Sequence, residues 1–325
     1  MKIVRFAAVA AFALLAAPQD ATAQAKYPDR PVRIIVPFGP GGSSDILARA
    51  LSPKLHETFG QPFVVENRTG ANGNVGADHV AKGRPDGYTF LLTDVASVAI
   101  SPALYPNLSF DVQKELTPVT MIAYAPHLLA VKTSLPVKNP QELVAYAKAN
   151  PGKLNFAHSG NGSAPHLAGV VFQQRTGVQW VDIPYRGGAP AIADVVSGQA
   201  DFLFNGALAT LTFVQNNQLK AIGVSGKTRL PQLPDVPTIA ESGLPGFETG
   251  TYQGLMATGG TPMDIVRRVH AAALKGLSKP EVREKIALQG MDAAPSASPE
   301  AFAAEIRAEA PGIEKSIRES GAKVE

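Results

Sequence analysis

Two glycine-rich turns, about 120 residues apart, carry the groups best suited to chemistry in this chain. They are Val36-Pro37-Phe38-Gly39-Pro40-Gly41-Gly42-Ser43-Ser44-Asp45 and Phe156-Ala157-His158-Ser159-Gly160-Asn161-Gly162-Ser163. Each lies between an apolar, strand-like run and a helix-like run. The first turns of a helix leave backbone N–H groups without intrahelical partners, and the helix dipole favours negative charge there. One such turn is an anion site; two on separate parts of a fold make a clamp for a small acid. In the first turn Phe38 precedes Gly41, Gly42, Ser43 and Ser44, which offer consecutive amides and two hydroxyls with no bulky side chain in the way. Asp45 would repel an anion unless it caps or orients its own turn. In the second turn the candidate contacts are Ser159, Asn161, Gly162 and Ser163. His166, in the first turn of the following helix, reads as a packed, hydrogen-bonded residue rather than a base.

Three further loops follow apolar runs, at the strand ends where ligands of open α/β sheets bind. They supply Asn72 and Gly73, then Thr93 and Asp94, then Asn205.

The elements that must hold these turns are legible as short Val, Ile, Leu and Phe runs alternating with longer helical patterns, the mark of an α/β fold with parallel sheets. Strands are expected at 32–36, 63–66, 88–92, 128–131, 154–157, 180–183, 201–204 and 220–224, and helices at 44–58, 140–150, 165–176, 189–197, 262–277 and 299–310. Asn139-Pro140, Thr261-Pro262 and Ser298-Pro299 each place an N-cap residue before a proline suited to the first helical position. Phe302, Ile306, Ile313 and Ile317 read as an apolar stripe packed on the fold, with Pro311-Gly312 breaking the helix in two. The strand pattern places a first crossover between two lobes near Tyr124–His127 and a return near Gly250–Leu255. One lobe then comprises residues 24–124 plus 252–325, the other 125–251, and the two can hinge around a ligand.

Composition narrows the function. Lys2 and Arg5 precede an apolar stretch from Phe6 to Ala17, and Ala21-Thr22-Ala23 supplies a cleavage signal, so residues 1–23 read as a secretory leader cut after Ala23. No later run approaches the roughly 20 apolar residues of a membrane span. Losing Lys2, Arg5 and Asp20 with the leader leaves 28 basic against 26 acidic residues. That excess is too diffuse for nucleic acid. The chain has no cysteine, which excludes a lipidated N-terminal cysteine and points to an untethered protein of a Gram-negative periplasm. There is no His-Glu-x-x-His, no Gly-x-Ser-x-Gly and no zinc-ligand cluster. Residues 221–228 nearly match a nucleotide-binding loop, but Pro231 and Pro234 forbid the helix it must enter, and Pro165 stands where the second turn would need a third glycine for a dinucleotide. No catalytic residue, metal or cofactor is expected.

The chain resembles the Bug family of extracytoplasmic solute receptors, the binding components of tripartite tricarboxylate transporters. The resemblance spans the mature chain. It rests on Tyr27-Pro28-Asp29-Arg30-Pro31-Val32-Arg33 with the first turn, on 65–73, Pro85-Asp86-Gly87-Tyr88-Thr89, 159–167, Pro184-Tyr185-Arg186-Gly187-Gly188, Asp235-Val236-Pro237-Thr238 and Pro245-Gly246-Phe247-Glu248. It implies a two-lobed, type II periplasmic binding protein of the Venus-flytrap kind, each lobe a mostly parallel sheet flanked by helices. The two turns would pinch a ligand carboxylate, partly through water, with pincers at Phe38–Ser43 and Ser159–Ser163. It implies as ligand a di- or tricarboxylate, acidic amino acid or aromatic acid, and as partners the permease subunits of the transporter, the receptor acting as a monomer. The alternatives are a receptor that signals to a membrane sensor, or a periplasmic enzyme acting on an organic acid. Two departures bear on the ligand: Thr93-Asp94 replaces small neutral residues common at that position, and Thr251-Tyr252 stands where tryptophan is frequent. If Asp94 faces the cleft, it disfavours a second carboxylate and favours an ammonium or hydroxyl.

Overall fold

The structure, a computed structural model, describes residues 27–99, 101–105, 107–287 and 290–308. The expected leader, Ile313, Ile317 and the break at Pro311-Gly312 lie outside them. The strands are β1 (Val32–Val36), β2 (Phe63–Asn67), β3 (Thr89–Asp94), β4 (Leu116–Lys132), β5 (Asn155–His158), β6 (Val181–Pro184), β7 (Phe202–Gly206), β8 (Leu219–Val224), β9 (Gly250–Thr258) and β10 (Asp292–Ala293). The helices are α1 (Ser43–Phe59), α2 (Asn74–Ala81), α3 (Val95–Ala99), α4 (Ser101–Leu104), α5 (Val112–Glu115), α6 (Pro140–Ala149), α7 (Ala164–Thr176), α8 (Gly188–Ser197), α9 (Ala207–Gln215), α10 (Met263–Leu277), α11 (Pro280–Ala287) and α12 (299–308). No helix among the described residues is long and apolar enough to cross a membrane.

The fold is α/β, as expected, with sheets flanked by helices. Strands β2-β1-β3 are parallel, as are β7-β5-β6. Between these groups run antiparallel strands, giving the order β2-β1-β3-β9-β4-β7-β5-β6, with β8 and β10 also paired to β4. Strand β4 belongs to both halves. Its first part, Leu116 to Pro126, pairs with β9, and from His127 onward it pairs with β7 and β8. At the change of partner His127 is fully buried, its ring held between the hydroxyls of Thr249 and Thr251 at 3.0 Å each.

Alternation along the strands sends side chains to opposite faces. Ile34 and Val36 join a core under α1 and α10, while Ile35 joins a smaller cluster with α2 and Val98. In the other half Leu129 and Val131 pack with α6, α7 and an aromatic group, and Ala130 with α8 and α9. Phe302 of α12 is buried and Ile306 packs against the cluster containing Ile35.

Two of the three helix starts have the capping geometry expected from sequence. Asn139 Oδ1 accepts from the Glu142 N–H at 2.8 Å, and Ser298 Oγ from the Ala301 N–H at 3.1 Å. The third differs. Pro262 is itself the N-cap of α10, and the Thr261 hydroxyl donates back to the Thr258 carbonyl at 2.7 Å instead of capping.

In α7, Gly169 faces Phe156, whose ring is stacked on Phe202 at 5.1 Å and flanked by Trp180 and Phe204. A Cβ on Gly169 would lie 2.2 Å from Phe156 Cε1. Overpacking a core that cannot relax is destabilising. Gly169→Ala is expected to cost at least about 2 kcal/mol, read as a lowered urea midpoint with unchanged m-value.

Candidate functional site

The first turn is organised by Asp45. Its Oδ2 accepts from the Gly41 N–H at 3.0 Å and from Arg49 Nε at 3.0 Å, and its Oδ1 from Asn67 Nδ2 at 3.0 Å. Asn67 Nδ2 also reaches the Phe38 carbonyl at 2.9 Å. Burial would raise the Asp45 pKa, but the hydrogen bonds from Arg49, Gly41 and Asn67 outweigh it and hold the carboxyl below its usual range. The carboxylate is thus spent on its own turn. Helix α1 begins at Ser43 behind the N-cap Gly42, which provides no side-chain cap, so the first amides of α1 keep no side-chain partner.

The second turn is built differently. The Ser163 N–H donates to the Gly160 carbonyl at 3.0 Å, and the Ser163 hydroxyl accepts from the His166 N–H at 3.3 Å. Two more amides end on imidazoles: Gly160 N–H on His158 Nδ1 at 3.3 Å, and Gly162 N–H on His166 Nδ1 at 3.0 Å. Both rings are buried. Burial pushes His158 down to about 3, with the neighbouring His166 adding to it, and His166 down to about 4. His166 is therefore a neutral, packed histidine.

His158, His166 and Asp182 bring ligating atoms within 4.8 Å of one another. Accepting at Nδ1 leaves the ring proton on Nε2 in each histidine. A cation on those Nε2 atoms would force the proton onto Nδ1, against a backbone N–H donor. The trio does not suit a metal.

Strand C-terminal ends from both halves meet at one cavity of about 40 Å³, room for a few waters. Phe38, Gly42, Ser43, Ser44, Asp94 and Ser97 line one side, Ser159, Pro165, Gly188, Asn205 and Gly206 the other, and Thr251 and Gln253 of β9 the floor between them. The two sides approach closely at glycines. A Cβ on Gly187 would lie 3.1 Å from Gly39 N, and one on Gly206 2.9 Å from Ser43 Oγ. Helices α8 and α9 have the N-caps Gly187 and Gly206, again without side-chain caps. Three helix N-termini capped by glycine, those of α1, α8 and α9, therefore converge on the cavity.

Of the sequence candidates, Phe38, Gly42, Ser43, Asp94, Ser159 and Asn205 line the cavity. The others lie around it. Gly41 is exposed and bonded to Asp45. Asn72 precedes α2 with its side-chain oxygen 3.6 Å from where a Gly160 Cβ would be, and Gly73 packs on Pro37 and Phe38. Thr93 is fully buried within β3. Asn161, Gly162 and Ser163 form the back of the second turn, where the amides of Gly162 and Ser163 are already used. Thr93 and Asp94 are the last residues of β3 rather than a following loop, because Gly254 and Gln253 of β9 pair with them. Ser44, Gly206 and Thr251, also noted in the sequence, line the cavity too, while sequence reading missed Ser97, Pro165, Gly188 and Gln253. Ser44 Oγ donates to Gln253 Oε1 at 2.7 Å, a contact across 209 positions that no local pattern records. Gly187-Gly188 and Asn205-Gly206 did carry a signal, glycine between a strand and a helix.

Asp94 is the one charged side chain among these lining residues. Its Oδ1 accepts from the Ala96 N–H at 3.3 Å and its Oδ2 from Ser97 Oγ at 3.0 Å, and the nearby N–H groups of Tyr252 and Ala164 also favour its ionised form. Burial lifts its pKa to about 7 against the pull of those four donors.

The buried histidines fix the acid response. A pKa depressed on folding gives stability that is present above the ordinary histidine value of 6.5 and lost as pH falls toward 3 to 4. Asp94, raised on folding, acts in the opposite sense between 3.8 and about 7. Urea midpoints are expected to fall from pH 6.5 to pH 4, and the fall should be shallower in His166→Asn.

The sequence matches the family described as the tripartite tricarboxylate transporter family receptor over residues 47–312. It is 37% identical to Protein BugT of Bordetella pertussis over 314 residues, 95% of this chain and 94% of that one. The solved structure of the periplasmic binding protein BugD superposes with a TM-score of 0.87 at 34% identity, covering 91% of this chain and 99% of that one. An R. palustris protein solved with adipate gives 0.88 at 34% identity, covering 92% and 100%. The cavity at the strand ends thus sits in a chain that belongs to the Bug-type receptors of the tripartite tricarboxylate transporter family.

Proposed function

We propose that this chain is a periplasmic solute receptor that captures a small carboxylate in the cavity between β1-β3 and β5-β7 and delivers it to the permease of a tripartite transporter. The observation that carries this reading is the meeting of three helix N-termini without side-chain caps on a cavity whose lining holds no cation. Such termini attract an anion through oriented N–H groups and dipoles alone. The carboxylate of adipate in the R. palustris relative supports the same ligand chemistry. Export through cleavage after Ala23 places the receptor in the periplasm.

The described residues of 24–124 with 252–325 form one lobe and 125–251 the other, hinged where β4 and β9 run between them. Ser43 and Ser159 face each other across the lobes and, with the first amides of α1, α8 and α9, grip the carboxylate. An acid the size of adipate does not fit the few-water space of the closed cavity, so entry requires the lobes to part. The closed, loaded form is what the permease reads. Micromolar affinity needs about −8 kcal/mol, which a few hydrogen bonds to a charged group at about 1.5–3 kcal/mol each supply.

Calorimetric titration of the refolded mature protein with small carboxylates tests this. Binding of a carboxylate that is recovered unchanged supports the receptor, and silence across mono-, di- and tricarboxylates, acidic amino acids and aromatic acids overturns it. In Gly206→Ala the new Cβ would meet Ser43 Oγ at 2.9 Å. The backbone there, φ −54 and ψ 134, suits alanine, so affinity should fall about tenfold or more while the melting temperature holds.

A further inference from the structure

The fourth helix N-terminus beside the cavity is not open. Helix α7 carries a side-chain cap from Ser163, and the N–H of its first residue, Ala164, approaches the Asp94 carboxylate closely enough to pull its pKa down. Asp94 comes from the end of β3 on the opposite wall, so this contact crosses the cavity. The carboxylate is held on its own side by the Ala96 N–H and Ser97 Oγ, and at the floor by the Tyr252 N–H. Asp94 and Pro165 of the same helix α7 both line the cavity.

The three open N-termini gather elsewhere, where Ser43 meets Gly206. One stretch of wall is thus set to receive an anion, and a second presents the protein's own acid, which burial leaves ionised only in part at neutral pH. A ligand with two carboxylates would place its second charge against Asp94, with no cation in the lining to offset it. Two carboxylates at one site cannot both stay ionised without cost.

We propose that Asp94 occupies the place of a second ligand carboxylate, making this receptor selective for acids with a single carboxylate and an uncharged remainder. This rests on the carboxylate-receptor reading above and sets the chain apart from its adipate-bound relative, whose ligand has two carboxylates. Asp94 acts here as a specificity residue: it faces the cavity near the start of α7 and sets the charge the cavity will accept.

The test is calorimetric titration of the refolded mature protein with matched pairs of equal carbon number: butanoate against succinate, hexanoate against adipate, and benzoate against terephthalate. The same pairs are run on Asp94→Asn and Asp94→Ser, with melting curves to show folding. The wild type is expected to bind at least one monocarboxylate about tenfold tighter than its partner, and the variants to move that ratio about tenfold toward the dicarboxylate. Equal or tighter dicarboxylate binding by the wild type overturns the proposal and leaves the receptor reading intact. So does a ratio unchanged in a folded variant. If neither variant folds, the wild-type ratios decide. No binding of any acid overturns the receptor reading and the proposal with it.

Discussion

Everything in the site depends on strand β4 serving two sets of neighbours. Its first part is bonded to β9 and its second to β7 and β8, so the parallel groups β2-β1-β3 and β7-β5-β6 are fixed to one continuous backbone. The C-terminal strand ends of both groups consequently open on the same space. A strand is extended and hydrogen-bonded along its length, which leaves few places to bend. The partner change at His127, with its ring bridging to Thr249 and Thr251, is such a place. Because that ring is neutral and wholly buried, the junction stays dry and holds without any ion pair at the imidazole.

The parallel strands and long helices were legible because their apolar runs are short, regular and closed by capping residues. The strands that join them were not. Strand β9, Gly250-Thr251-Tyr252-Gln253-Gly254-Leu255-Met256-Ala257-Thr258, reads as a turn-rich segment because its glycines stand where a side chain cannot. A Cβ on Gly250 would lie 2.3 Å from Tyr124, and one on Gly254 2.5 Å from Val95. Close packing, rather than chain reversal, selected glycine there. The first part of β4 was masked by Pro118 and by the register shifts that follow it.

The site followed the same division. The residues of the first turn were visible because strand, glycines and helix are contiguous. The second turn was visible too, but its electrostatic state was not. Whether its amides face a ligand or an imidazole depends on where His158 and His166 point, and that is fixed by packing. The tie between Asp94 and the start of α7 joins positions 70 residues apart in the chain. Asp94 could be singled out as an unusual residue by its place after a strand, yet its donors come from β9 and α7. Around the cavity the helix termini differ, those of α1, α8 and α9 lacking side-chain caps and that of α7 capped by Ser163.

The contact between Gly39 and Gly187 has a kinetic meaning. The surfaces that meet there are peptide backbone, with no side chain on either glycine to bury apolar area or form an ion pair. Backbone against backbone adds little to the barrier for parting, since nearly all the strength of an apolar seam scales with the area it hides. On the receptor function proposed above, residence time would then be set inside the cavity, by the hydrogen bonds the cargo makes. A molecule that makes them poorly would be released at the first opening, the rim acting as a shutter without a lock and leaving discrimination to the off-rate.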